Sequence, residues 1–340
     1  MKRGLILSVL ALVTSVAAYA QMMPDSTVQV CAYWAKGDHV EYDCLNTQYN
    51  VDQYGNESGR QETSETRVFD VLEETDESYT LRMSFRNINS PSPYDFFTDE
   101  QFKKINENYS ITVVTNQYGT ITDIPDVVVD GNPFFATLDE ISEDAWKNID
   151  KETRKAISKD DFISSLRNLY SSEETVASTV LKDVTPMLLY HGARLDTSLV
   201  YPYKKTFFDL FGGKFTFTTE AEFWVDEEYT DSVSVVIHSD AILDKEDLFP
   251  VLIDNTVKEA QAKADEYGEV LTEDDIANIT DEFNNQIIDM TIEEYTSIEI
   301  DLYDGWPIQW FSTREVTVVG ENGTQKTIVE RTAKYHIPEE

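Results

Sequence analysis

Alternation of apolar and polar residues sets the character of this chain. Tyr79, Leu81, Met83 and Phe85 are separated by single residues, the period of a half-buried strand. The stretches 27–36, 39–50, 65–74, 78–87 and 109–115 read the same way, and a Tyr118-Gly119 turn leads to a short strand at 121–124. Polar 50–61, with Gly55 and Gly59, reads as a loop. The period then lengthens. Residues 137–158 put Leu138, Ile141, Ala145, Trp146 and Ile149 on one helical face, with Asp139 and Glu140 early and Arg154 and Lys155 late. Residues 160–170 space Phe162, Leu166 and Leu169 as a second helix. Ser171-x-x-Glu174 opens a third, which Pro186 kinks or ends and Gly192 closes.

A second β block covers 197–242, with a tight turn at Gly212-Gly213 and alternation through Val233, Val235 and Ile237. Two helices follow: 245–267, stopped by Gly268, and 272–290, with Ile276, Ile279, Phe283 and Ile287 on one stripe. Strands at 292–303, 306–319 and 324–337 then form a meander. Strand runs broken by helix runs predict an α+β fold: antiparallel, curved sheets with helices packed on one face. The organisation expected is a leader at 1–20, a β-rich part at 21–135, a helical segment at 136–195 and a second β-rich part at 196–340 carrying a helical insertion at about 245–290. At an offset of 154 residues, Phe69, Val71, Glu73, Glu74, Ser78 and Leu81 match Phe223, Val225, Glu227, Glu228, Ser232 and Val235. Either a two-fold internal repeat or the general likeness of alternating strands accounts for the match.

The chain has two cysteines, Cys31 and Cys44. If Gly37-Asp38 is a two-residue hairpin loop, Cys31 faces Cys44, Tyr33 faces Tyr42 and Ala35 faces Val40, all on one face. The cysteines then fall at a non-hydrogen-bonded pair, which is close enough to bridge. A cross-strand disulfide is expected in an oxidising compartment.

That compartment is suggested by the first residues. Lys2 and Arg3 precede an apolar run at 5–16, and Ala18-Tyr19-Ala20 precedes Gln21. This is the layout of a secretory signal peptide cleaved between Ala20 and Gln21. The expectation is an exported chain, periplasmic or extracellular and without a membrane span once cleaved. Without Lys2 and Arg3, 25 basic residues stand against 64 acidic ones, a net charge of −39. Such a surface repels phosphate backbones and anionic headgroups, which argues against nucleic acid as a partner.

The chain carries no Gly-x-Ser-x-Gly, His-Glu-x-x-His, P-loop or dinucleotide fingerprint. His39, His191, His238 and His336 are scattered, and His191 beside Gly192 reads as a partner for a helix C-terminus. No metal and no cofactor are expected. Aromatic segments are the candidate binding surface. Strand alternation puts Trp306, Ile308 and Trp310 on one face, and Tyr201, Tyr203 and Phe211 flank the Gly-Gly turn. They form either sheet core or the wall of a ligand site between sheet and helices.

Tyr33-Trp34-Ala35-Lys36-Gly37-Asp38, Tyr190-His191-Gly192-Ala193, Phe211-Gly212-Gly213, Asp304-Gly305-Trp306-Pro307-Ile308 and Val329-Glu330-Arg331 extend over most of the chain. With the leader ending in Ala-Gln, they resemble a family of secreted proteins of Bacteroidota that carries no established activity. Curved sheets packed on helices also resemble periplasmic lipoprotein-carrier folds, which implies an apolar cavity. Asp25-Ser26-Thr27 and Asp231-Ser232-Val233 resemble O-glycosylation sites of that clade. The reading that follows is a non-enzymatic exported binding protein whose partner is an apolar small molecule, a lipid or an envelope protein. The alternatives are a secreted carboxylate-dependent hydrolase acting on glycans, and a structural or partner-binding envelope protein.

Overall fold

The computed structural model describes residues 26–125, 127–207, 210, 216–266, 270–321 and 323–336. The leader with Ala20 and Gln21, Asp25, Phe211, the Gly212-Gly213 turn and Gly268 lie outside the described residues. Eleven strands form one antiparallel sheet. In chain order they are β2 (His39–Val51), β3 (Glu57–Glu74), β4 (Ser78–Asn89), β5 (Ser110–Asn116), β6 (Ile121–Asp123), β8 (Val200–Phe207), β9 (Phe217–Val225), β10 (Ser234–Leu243), β11 (Ile287–Asp301), β12 (Pro307–Gly320) and β13 (Gly323–Tyr335). Their order in space is β6-β5-β4-β3-β2-β13-β12-β11-β10-β9-β8, so the sheet is open, with β6 and β8 at its edges. A separate ribbon pairs β1 (Thr27–Gln29) with β7 (Arg194–Asp196).

Strand β13 joins two sets of five strands. It pairs with β2 on one side, Ala333 opposite Cys44, and with β12 on the other, Ala333 opposite Trp310. Following that register across the sheet, Cys44, Ala333, Trp310, Ile298 and Ile237 share one face. The hydrophobic clusters formed with the helices and the ribbon lie on this face. Helix α1 (Asp99–Asn108) joins β4 to β5, and α2 (Pro133–Ala145), α3 (Thr153–Ala156), α4 (Lys159–Ser171), α5 (Glu173–Thr179) and α6 (Thr185–Leu188) connect the two strand sets. Phe134, Leu138, Phe162, Leu166 and Val176 from these helices meet Tyr42, Phe69, Leu81 and Ile111 in one cluster. Helix α7 (Lys245–Glu266) seats Leu248, Phe249 and Leu252 against Ala241, Leu243 and Ile292, and α8 (Glu273–Gln286) rests on α7 through Phe283. The ribbon fills the remaining end with Val28 and Leu195 against Val235, Ile298 and Ile300. Each such fully buried side chain contributes about 1.5–3 kcal/mol.

The opposite face is polar over β2–β4. His39 bonds Asp70 at 2.8 Å and Glu41 at 2.9 Å, while Arg82 reaches Asp70 and Arg86 reaches Glu41. Edge strand β8 carries Pro202, Lys204 and Lys205, which discourage further strand addition.

The predicted hairpin at 37–38 does not form, and both cysteines are free thiols. Strand β2 instead turns back at Asp52, whose carboxylate accepts from the Tyr54 and Asn56 amides, and pairs along β3. Residues 30–33 thread between three loops, through Val30 N to Ala193 O, Ala32 N to Tyr118 O and Tyr33 N to Asp304 O. Val30, Cys31 and Ala32 are consecutively buried, which a strand with one solvated face cannot provide. Gly305, at φ 81°, permits this passage: a Cβ there would lie 2.2 Å from the Cys31 carbonyl oxygen.

Candidate functional site

Helices α1, α4 and α5 do not sit flush on the sheet, and a cavity of about 490 Å³ remains beneath them. That volume lies within the range of small-molecule sites. Its floor comes from alternate residues of adjacent strands. Cys44 pairs with Glu65 and Ala333, Asn46 with Thr63 and Arg331, and Arg67 with Phe85. The period of two puts these side chains and Trp310 on the same face. Tyr94, Phe102, Tyr109 and Tyr170 supply rings from the helical side. Capping boxes at Thr98 and Ser158 start α1 and α4, and Tyr109 donates from its hydroxyl to the Tyr170 carbonyl at 3.1 Å. Burial pushes the Tyr109 phenol up to about 12.

Arg67 ties the floor to the roof. Its Nε donates to Glu65 at 2.7 Å, its Nη2 reaches the Asp183 carboxylate at 2.8 Å, and its Nη1 donates to the Asp183 carbonyl at 3.4 Å. Asp183 belongs to a π-helical turn, Val180–Val184, inserted between α5 and α6. Thr185 N bonds Val180 O there, one residue beyond the α-helical spacing, just ahead of Pro186, which has no N–H to give. The Arg67 side chain is only 16% exposed; burial works against its charge, but Asp183 and Glu65 outweigh that and hold it well above the usual guanidinium value. Burial pushes the neighbouring Cys44 thiol up to about 11, so it is a poor nucleophile. Asn46 donates from Nδ2 to Thr63 only at 3.4 Å, and its Oδ1 is buried with no donor.

The residues singled out from sequence separate. Trp310 lines this cavity. Trp306 is core: it stacks on Trp34 with ring centroids 4.4 Å apart. Ile308 is half-buried, at an irregularity where β11 and β12 slip by one residue. Tyr201 and Tyr203 lie on edge strand β8 and pack on Phe223, Tyr201 stacking at 5.0 Å. His191 stands just past the end of α6, and its backbone N–H donates to the Leu188 carbonyl at 3.1 Å. It is buried, donates from Nε2 to the Gly305 carbonyl at 2.7 Å, and burial depresses its pKa to about 4. Arg67 went unread, although it shares strand parity with Phe69 and Val71 and therefore their inward face.

Two other features lie on or beside the inner face. A second cavity of about 400 Å³ opens at edge strand β6, between Ile121, Ile124, Val127 and Val176. On the inner face of β11, buried Glu294 accepts from Arg314 and from Lys205, each at 2.7 Å. Burial alone would raise the Glu294 pKa, but the two cations outweigh it and the net shift is downward.

No family model and no curated protein matches this chain. Among solved structures, lipovitellin, in a structure titled for its lipid–protein interactions, aligns over 90% of this chain at 9% identity with a TM-score of 0.37. The chain spans 26% of that protein's length. An outer membrane channel from Pseudomonas putida F1 aligns over 90% of this chain and 97% of its own, at 8% identity and a TM-score of 0.17. Likeness at this level assigns neither fold family nor function. Among the described residues, no helix is long and apolar enough to cross a membrane.

Proposed function

We propose that this protein is a non-enzymatic binding protein, exported to the periplasm or beyond, that holds an apolar or amphipathic ligand between its sheet and its helices. The observation that carries this reading is the 490 Å³ cavity, which joins a ring-lined wall to a charged end at Arg67. Tyr, Phe and Trp faces take up an apolar body, and the few polar groups orient it. The glycan-hydrolase alternative calls for two carboxylates meeting in an aromatic cleft. Glu65 and Asp183 do meet there, but both are engaged by Arg67, so the trio acts as a brace between β3 and the π-turn. Export is supported by the leader, whose sequence has the three parts of a signal peptide.

The test is titration of the purified protein with N-phenyl-1-naphthylamine, read by fluorescence and by thermal unfolding. Saturable one-to-one binding is expected, with about 2.7 kcal/mol of stabilisation at a hundredfold excess over Kd. Thr179→Trp, which places a ring in the cavity without removing core, is expected to abolish it. No binding, or equal binding by Thr179→Trp, overturns the reading.

A further inference from the structure

The charged end of the cavity discriminates among ligand headgroups. Three of its ionic groups satisfy one another: Arg67 carries one positive charge against the two negative charges of Glu65 and Asp183. A carboxylate or phosphate placed beside this trio meets a net negative charge. Arg331, cross-strand from Asn46, has partners of its own, and Lys182 is exposed at the rim. An ammonium entering there meets these two cations. The buried ionic groups at this end are already engaged with one another or with partners of their own, so a charged headgroup of either sign would be buried without an unengaged counter-charge, which is costly.

Asn46 has the opposite need. It lines the cavity, its Oδ1 is buried without a donor, and its Nδ2 is held only by the long 3.4 Å bond to Thr63. A small turn of the amide therefore gives up little and presents the oxygen to an entering O–H. An unsatisfied buried acceptor is costly, so a ligand that supplies the donor gains what the empty site lacks. Resting on the binding reading above, we propose that the ligand is an amphiphile with an uncharged hydroxyl head. Its hydroxyl lies at Asn46 and its apolar body runs along the wall formed by Phe85, Phe102 and Tyr170.

Three probes of equal chain length decide this: dodecan-1-ol, dodecanoate and dodecylammonium, each displacing N-phenyl-1-naphthylamine from the purified protein at pH 7.5. The alcohol is expected to displace the dye at about tenfold lower concentration than either charged probe. Asn46→Leu is expected to erase most of that advantage, read as the ratio of the alcohol and dodecanoate displacement concentrations on the same protein. Glu65→Gln, which removes one negative charge, is expected to improve dodecanoate severalfold relative to the alcohol. Dye binding with no preference for the alcohol, or a preference that survives Asn46→Leu, overturns the headgroup assignment alone. Failure of the dye and all three probes to bind overturns the binding reading with it.

Discussion

Burial of His191 couples the fold to pH. Its ring lies 5.5 Å from Trp34, and its Nδ1 has no hydrogen-bond partner. In the native state the pKa is about 4, against 6.5 for the free side chain. Between those values the unfolded chain takes up a proton that the native state refuses, so stability falls as pH drops through 6.5 and levels off below 4. The full loss is about 3 kcal/mol. His39 acts in the other direction: bonds to Asp70 and Glu41 raise its pKa, so its small contribution is present at low pH and fades as pH rises. Comparing urea midpoints of the wild type and His191→Gln from pH 7.5 to 4.5 isolates the buried ring. The variant is expected to show the flatter profile, and parallel profiles would refute the assignment. At this scale the sequence was legible where alternation was strong and misleading where two local patterns agreed by accident. The Cys31–Cys44 register was self-consistent, yet consecutive burial at 30–32 governs that segment. Arg67 was missed because a charged residue inside a strand reads as solvated unless its parity is checked.

Helices show how far pattern reaches at the next scale. Lys159–Ser171 and Lys245–Glu266 follow their periodic apolar positions closely, and Glu273–Gln286 starts at the expected Thr272. The helix expected over 137–158 begins earlier, at Pro133 after the Asn132 cap, and ends at Ala145; a short helix restarts at Thr153, where the Asp150 carboxylate accepts from the Glu152 and Thr153 amides. Helix α5 is capped by Ser172, one residue later than read. Helix α1 was overlooked because only Ile105 in it is buried, although Thr98 and Gln101 form a capping box. Helix α8 is the extreme case: it has no buried residue, and its aromatic contact is Phe283 on Phe249 at 5.3 Å. Its stability therefore rests heavily on its cap, where Thr272 and Asp275 bond reciprocally. Thr272→Ala is expected to cost about 1 kcal/mol locally. Hydrogen exchange at 273–276 should quicken about fivefold while the global melting temperature moves by less than about 1 °C. A large global loss would mean that α8 belongs to the cooperative core.

At the scale of the whole molecule the decisive element is β13. The strand run of its segment and its pairing with β12 in a meander were readable, but its other neighbour was not, because pairing of Tyr335 with Tyr42 and Lys326 with Val51 joins residues almost a chain length apart. Local periodicity carries no information about such partners, so the strand blocks could be read without showing that they share one sheet. The physical consequence is unusual dependence on one strand. Without β13, β2 and β12 would each expose a long row of backbone donors and acceptors in the middle of what is now an unbroken sheet. Ala333 would leave the floor of the cavity, and Trp310 would lose its cross-strand neighbour. Deleting residues 323–340 is therefore expected to give an aggregating chain rather than a shortened native one. Supplying residues 323–340 as a peptide during refolding should restore part of the native circular dichroism, as strand addition would. The same pairing predicts slow folding of the intact protein, on the millisecond-to-second scale of sheets built from distant contacts. Stopped-flow refolding followed by Trp fluorescence reads this directly, since Trp306 stacks on Trp34 and Trp310 lies opposite Ala333. A deletion variant that stays monomeric with native dichroism would show that the two five-strand halves stand without the strand between them.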